Sequence, residues 1–268
     1  MVNPKVLILR TAGTNCDQET AFAFKKAGGE VDLVHINRLI SGDKKLSDYQ
    51  ILALPGGFSY GDDVAAGKIL ANELKYKLAD DLKKFIQDGK LVIGICNGFQ
   101  ILVKSGFLPG NSELKQETSL IINDSAKFED RWTYLKSQVT SYKSQVNCVW
   151  TKDLPEVIYL PVAHGEGKFI CEKSVLGKLE ENGQIVIQYC NQQGVLSGYP
   201  DNPNGSIKNI AGICDETGRM FGLMPHPERY IDIYQHPAGK FAALKSGRKE
   251  GDGFKIFQNG VEYAKKNL

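Results

Sequence analysis

The run Gly94-Ile95-Cys96-Asn97-Gly98 sets a cysteine between two glycines, where an apolar stretch gives way to a helical pattern. This is the nucleophile-elbow spacing, with cysteine in place of serine. The turn is strained and crowded, so glycines on both sides keep side chains away from the nucleophile. It also aims the sulfur at the amides of a helix N-terminus, which favour a thiolate. The chemistry predicted is attack on an acyl carbon, with Cys96 as nucleophile. Cys16 is the rival, since it too opens a helix after a strand. It lacks the bracketing glycines, and Asn15 and Asp17 beside it read as capping residues, so a structural role is expected. Cys148, Cys171, Cys190 and Cys214 lie in apolar or strand-like surroundings and are expected to be packed.

A thiolate needs a partner that passes a proton to the leaving group. The chain has four histidines. His226 stands in Met224-Pro225-His226-Pro227-Glu228-Arg229, directly after an apolar strand. Pro227 biases His226 toward extended backbone, where residues i and i+2 point the same way. Glu228 is then placed to orient the imidazole, completing a triad. His35 ends a strand, and His236 has no neighbouring carboxylate. An oxyanion site is also required, and one such donor can be worth ~2.7–4 kcal/mol of barrier. The N–H of Asn97 supplies one donor, and the Pro55-Gly56-Gly57 turn, through Gly57, is expected to supply the second.

These groups need elements to hold them. The first hundred residues alternate strand and helix, with strands over about 6–9, 31–36, 50–54 and 91–95. Asn15 is expected to cap a helix running over about 16–27, which Gly28-Gly29 ends. Leu70, Leu74, Leu78, Leu82, Phe85 and Ile86 keep helical spacing, which predicts one long helix over 70–87. Strands are expected further on over about 119–123, 136–140, 185–190, 210–214 and 220–224. Apolar strands alternating with helices indicate an α/β fold whose mostly parallel sheet is covered on both faces. Such sheets bind ligands beyond the C-terminal ends of their strands, and the turns at Gly13, Gly56 and Cys96 fall there.

Composition narrows the function class. Hydrophobic residues make up 42% and charged residues 24%, an ordinary balance for a chain with a full core. The formal charge is +2, with scattered basic residues, so nucleic-acid binding is not expected. No apolar run approaches the ~20 residues of a membrane span, and no signal peptide is recognised. Six dispersed cysteines without a C-x-x-C pair or zinc spacing fit a reducing, cytoplasmic setting and no metal. The chain reads as a single domain over 1–268, with no internal repeat. No Walker sequence is present, so nucleotide chemistry is not expected in this chain.

The order of Pro-Gly-Gly turn, Gly-x-Cys-x-Gly elbow and late His-x-Glu pair resembles the class I, or triad, glutamine amidotransferases. The segments 56–63, 94–100, 163–167 and 199–206 are closest in wording to the glutaminase subunits that serve phosphoribosylformylglycinamidine synthase. The likeness runs over about 6–229. It implies a flavodoxin-like three-layer sandwich and a Cys96–His226–Glu228 triad. It also implies Gln100 near the bound glutamine, and the Gly165-Glu166 backbone meeting its α-carboxylate or α-amino group. His164 would be a scaffold residue. The implied partners are a synthetase subunit that uses ATP and Mg2+ on formylglycinamide ribonucleotide, and a small accessory subunit. No cofactor is implied in this chain. By the same resemblance, the stretch 124–155 is expected as a surface insertion, and the tail after 229 is longer than the family needs. Two other readings compete: another thiol hydrolase on the same elbow, such as a γ-glutamyl hydrolase or peptidase, and a non-catalytic regulatory subunit.

Overall fold

The computed structural model describes residues 2–111, 113–137, 147–239, 247 and 249–268. Five short segments form neighbouring parallel strands: β1 (Lys5–Arg10), β2 (Glu30–His35), β3 (Ile51–Leu54), β4 (Leu91–Ile95) and, from the far end of the chain, β11 (Met220–Leu223). Their order is β2-β1-β3-β4-β11. Val6 and Leu7 follow one another in β1 and are both fully buried. Successive strand residues face opposite sides, so the sheet is covered on both faces.

The sheet continues as β10 (Ile210–Cys214), β9 (Ile185–Cys190), β6 (Glu129–Ser137) and β7 (Val157–His164), nine strands in all. Each of these four is antiparallel to the strand before it in the sheet. β9 and β7 therefore return to the direction of the parallel five, and seven of the nine strands, five plus two, run one way. A separate antiparallel pair joins β5 (Thr118–Ile122) to β8 (Glu166–Cys171).

The helices are α1 (Asp17–Lys26), α2 (Ile36–Ile40), α3 (Lys68–Lys77), α4 (Ala79–Gln87), α5 (Asn97–Lys104), α6 (Lys173–Glu181) and α7 (Phe254–Asn267) among the described residues. α7 packs against α1, with the Phe257 ring edge-on to Phe24 at 4.9 Å. Among the described residues, no helix is long and apolar enough to cross a membrane.

Several expectations are corrected. The helix foreseen over 70–87 is two, α3 and α4, because Leu78 leaves the helical region at φ −129°, ψ 12°. The apolar stripe runs through the break without interruption, since Leu74, Leu78 and Leu82 are all buried. Asn15 does not cap α1: the cap position is Cys16, without a side-chain bond, and Asn15 Oδ1 instead lies 3.1 Å from the Cys16 thiol. The strand foreseen over 136–140 begins earlier, as β6, and residues 138–140 lie outside the described residues. The stretch 124–155, expected as a surface insertion, carries β6 between β9 and β7 inside the main sheet; its residues 138–146 lie outside the described residues. The tail after 229 carries α7, whose Phe254, Ile256, Phe257 and Val261 join the core; residues 240–246 and 248 lie outside the described residues.

Candidate active site

The topology decides which residues meet. The turns after β1, β3, β4 and β11 open at one edge of the sheet, as does the end of β7. The start of β6, running the other way, reaches the same edge. A cavity of about 210 Å³ lies there, lined by Asn15 and Cys16 after β1, Gly57 and Phe58 after β3, and Cys96 after β4. Phe128 just before β6, Asp130 near its start, Ala163 at the end of β7, and His226 and Arg229 after β11 complete it. A single water needs roughly 10–15 Å³, so the space suits a larger guest. The exposed rings of Phe58 and Phe128 stand 6.4 Å apart among the lining residues.

The elbow is built as its glycines require. Cys96 sits at φ 50°, ψ −106°, a left-handed conformation that a side chain adopts only when its surroundings enforce it. A Cβ on Gly98 would lie 1.9 Å from the carbonyl oxygen of Leu54, and one on Gly94 would lie 2.6 Å from that of Gly98. No other residue type lets α5 seat so closely on β3. The Cys96 N–H donates to Leu223 O at 2.8 Å, tying the elbow to the strand that leads into His226. The thiol faces the Ala163 carbonyl at 3.7 Å.

His226 is fixed by its own N–H, which donates to Pro161 O at 2.8 Å. Its Nδ1 meets Glu228 Oε1 at 2.7 Å, and both side chains are buried. The expected cause of this pairing was extended backbone. Instead, Pro227–Arg229 forms a short 3-10 turn with proline at its first position, where a fixed φ is already helical, and the turn folds Glu228 back onto the ring. With Nδ1 given to Glu228, Nε2 is the nitrogen left open; it has no hydrogen-bond partner among the described residues. Burial works against a charged imidazole, but the charges of Glu228 and Cys96 outweigh it and hold His226 well above its ordinary value of 6.5.

Gly57 lines the cavity at φ 144°, where a Cβ would lie 2.7 Å from Gly13 O. Asn97 opens α5, so its N–H has no carbonyl within the helix to bond. Its side chain braces the turn after β3. Asn97 Oδ1 accepts from the N–H and hydroxyl of Ser59, and Nδ2 donates to Asp62 at 3.2 Å and Gln100 at 2.8 Å. Tyr60, Gly61 and Asp62 in that turn all have positive φ, and the half-buried Tyr60 donates to Glu73 at 2.6 Å.

Gln100, Gly165 and Glu166 are near one another but do not line the cavity. Gln100 is buried and donates to the Glu166 carbonyl at 2.5 Å, while the Glu166 side chain pairs with Lys104 at 3.6 Å. His164 is buried away from solvent, with Nδ1 3.2 Å from Asn123 Oδ1. That oxygen also accepts the Gly167 N–H at 3.0 Å, so Nδ1 is the protonated nitrogen of His164. Burial first, then the positive charge of His226, pushes His164 down to about 3.

Cys16, Arg229 and Asp130 are lining residues that sequence reasoning did not place in the site. Arg229 Nη2 donates to Cys16 Sγ at 3.1 Å, and Nε to Glu19 at 2.9 Å. Arg229 adjoins the His-x-Glu motif, and Cys16 follows a parallel strand, so strand-end position was the available signal for both. Asp130 offered none while β6 was placed too late. Cys16, His226 and Glu228 are also the group of side chains among the described residues whose atoms could together hold a metal ion.

The profile of the CobB/CobQ-like glutamine amidotransferase domain matches residues 3–264. A phosphoribosylformylglycinamidine synthase subunit PurQ of Dehalococcoides mccartyi is 49% identical over 266 residues, covering 99% of each chain. The subunit of that name from Methanococcus maripaludis is 45% identical, again over 99% of each. Among solved structures, PurLQS from Thermotoga maritima contains a chain 32% identical, at a TM-score of 0.70, with 98% of this chain and 99% of that chain covered.

Proposed function

The chain belongs to the CobB/CobQ-like glutamine amidotransferase family, and from that premise we propose Cys96, His226 and Glu228 as its catalytic triad. Its function is that of the glutaminase subunit of phosphoribosylformylglycinamidine synthase in purine biosynthesis. It works with a synthetase subunit and a small accessory subunit, and glutamine is its substrate. The ATP-dependent step, with its Mg2+, falls to the synthetase subunit in this reading. Six unpaired cysteines accord with a cytoplasmic setting.

The reaction follows from the site. The Cys96 thiolate attacks the side-chain amide carbon of glutamine, and the N–H groups of Gly57 and Asn97 receive the oxyanion. His226, oriented by Glu228, protonates the amide nitrogen, and ammonia departs as the thioester forms. Nε2 then takes a proton from water, whose oxygen attacks the thioester carbon; the C–S bond breaks, glutamate leaves and Cys96 is restored. Gln100, Gly165 and Glu166 serve this reading as support for the elbow and its flank, with the α-groups of glutamine lying toward them.

The observation that carries the assignment is the His226–Glu228 contact of 2.7 Å within a cavity that Cys96 lines. An electrophilic glutamine analogue should label the chain once, and peptide mapping should find the label on Cys96. Label on Cys16, or full glutaminase activity in Cys96→Ala assayed with the synthetase subunit, would refute it.

A further inference from the structure

Cys16 lines the cavity but has no part in the triad. Its Sγ lies 4.0 Å from His226 Nδ1. Cys16, His226 and Glu228 offer three ligand atoms all within 4.8 Å of one another, each from a buried residue. A second observation points to a ligand: Glu228 is 1% exposed, and its Oε2 has no hydrogen-bond partner among the described residues. A buried carboxylate oxygen without a partner is costly, and a cation is the partner it lacks. We propose that Cys16, His226 and Glu228 form a binding site for a divalent ion of the zinc type, and that its occupation shuts off the glutaminase reaction.

The donor set suits that ion. Thiolate, imidazole and carboxylate together are ligands of zinc, and three protein ligands leave the fourth tetrahedral position open. Two anionic ligands balance the charge of a divalent ion. Burial pushes the Cys16 thiol up, and Arg229 Nη2, 3.1 Å from Sγ, offsets that only in part, so the ion itself must displace the thiol proton; Arg229 Nε stays paired with Glu19. The thiol proton, near Asn15 Oδ1 at 3.1 Å, leaves for solvent as the S–metal bond forms. Two ligands on a tetrahedral zinc stand about 3.3 Å apart, whereas Nδ1 and Oε1 are 2.7 Å apart. The carboxylate must therefore turn and bring the unpartnered Oε2 to the metal.

Inhibition follows from the tautomer. A metal bond at Nδ1 needs the lone pair there, so the Nδ1 proton that faced Glu228 leaves for solvent as the thiol proton does, and the neutral ring carries its one proton on Nε2. That nitrogen can no longer take a proton from the Cys96 thiol or from water. The ion also occupies the carboxylate that orients the ring.

The test uses the full chain with Cys96→Ala, which removes the neighbouring thiol, titrated with Co2+ alone. One equivalent should raise a near-ultraviolet thiolate-to-cobalt charge-transfer band and tetrahedral visible bands, and Zn2+ should bleach both. Adding Cys16→Ala should abolish the charge-transfer band. Cys16→Ser, which keeps the volume, should abolish it as well while the fold is retained. In the assembled enzyme, Zn2+ should inhibit glutaminase, and Cys16→Ala should weaken that inhibition by more than the roughly 10–100-fold that loss of a mere supporting residue costs. No band in Cys96→Ala, or a band that survives both Cys16 variants, would overturn the site. The cobalt spectrum reads the cluster whatever the substrate, so its failure is distinct from failure of the triad assignment.

Discussion

His226 is held between burial, which resists charging it, and the anionic partners Glu228 and Cys96, which prevail. Its folded value lies above the ordinary 6.5, so the imidazolium that the proposed mechanism needs to protonate the amide nitrogen persists through neutral pH. The linked stability is fully present below 6.5 and is lost as pH rises through the raised folded value. In glutaminase assays of the assembled enzyme, the alkaline limb of the pH profile should therefore fall well above 6.5. Glu228→Gln removes the main charge that raises it, and the limb should move down toward 6.5; an unmoved limb would show that Glu228 does not set it. His226→Ala should lose about 10²–10⁴-fold in turnover, the range general acid–base catalysis supplies. His164→Ala should lose far less, because a histidine held at about 3 is neutral at working pH and already bonded to Asn123. Equal losses in the two variants would reassign the base. That Cys96 and His226 meet at one cavity with Glu228 against the ring was legible because each sits in a short motif whose spacing has a mechanical reason. Cys16 was set aside for lack of glycines, a local criterion, whereas its place in the cavity is a matter of which strands are neighbours.

At the level of elements, the elbow depends on α5 lying against β3 with no side chain between them. Gly98→Ala would set a Cβ 1.9 Å from Leu54 O, and backbone cannot yield as a flexible side chain can. The helix must move, taking the Asn97 N–H with it. A loss of roughly 1–3 kcal/mol in stability is expected from such overpacking, with a larger proportional loss of glutaminase activity. Gly177→Ala in α6 is the matched control, since nothing lies within 4 Å of its Cβ position. There, alanine should stabilise by about 0.5–1 kcal/mol. Denaturant midpoints of the two variants should shift in opposite directions; the same sign in both would refute the close approach. The central parallel strands β1, β3 and β4 were easy to read because burial on both faces leaves them as continuous apolar runs. The break at Leu78 was not, since both helices share one stripe. β7 was passed over because Pro161 stands inside its apolar run; β8, α6 and the body of α7 were passed over, and β6 was begun too late, because polar residues interrupt their apolar pattern.

Across the whole molecule, the two site-region histidines act on stability in opposite pH ranges. His164 stays neutral when folded down to about 3, while the unfolded chain takes up that proton near 6.5. Stability should then fall as pH drops through that window, by up to about 1.4 kcal/mol per pH unit from this group. His226 is charged in both states there and adds no slope. Denaturation of the full chain at pH 5.5 and 4.5, where His226 is charged whether folded or not, should show a smaller difference for His164→Gln than for the parent; an identical difference would remove His164 as the cause. The cavity itself has a consequence for how the chain is made. Its walls come from Asn15 at one extreme to Arg229 at the other, and Cys96 precedes His226 by 130 positions. A ribosome adding about 5–20 residues per second exposes the elbow on the order of ten seconds before the histidine emerges. Through that interval Cys96 exists without His226, the base proposed for it, and β11, which must lie beside β4, has not been synthesised. A nascent chain therefore cannot destroy glutamine. In refolding, ammonia release should return with the slowest phase, after most far-ultraviolet signal has recovered, because activity reports that the two ends of the polypeptide have met.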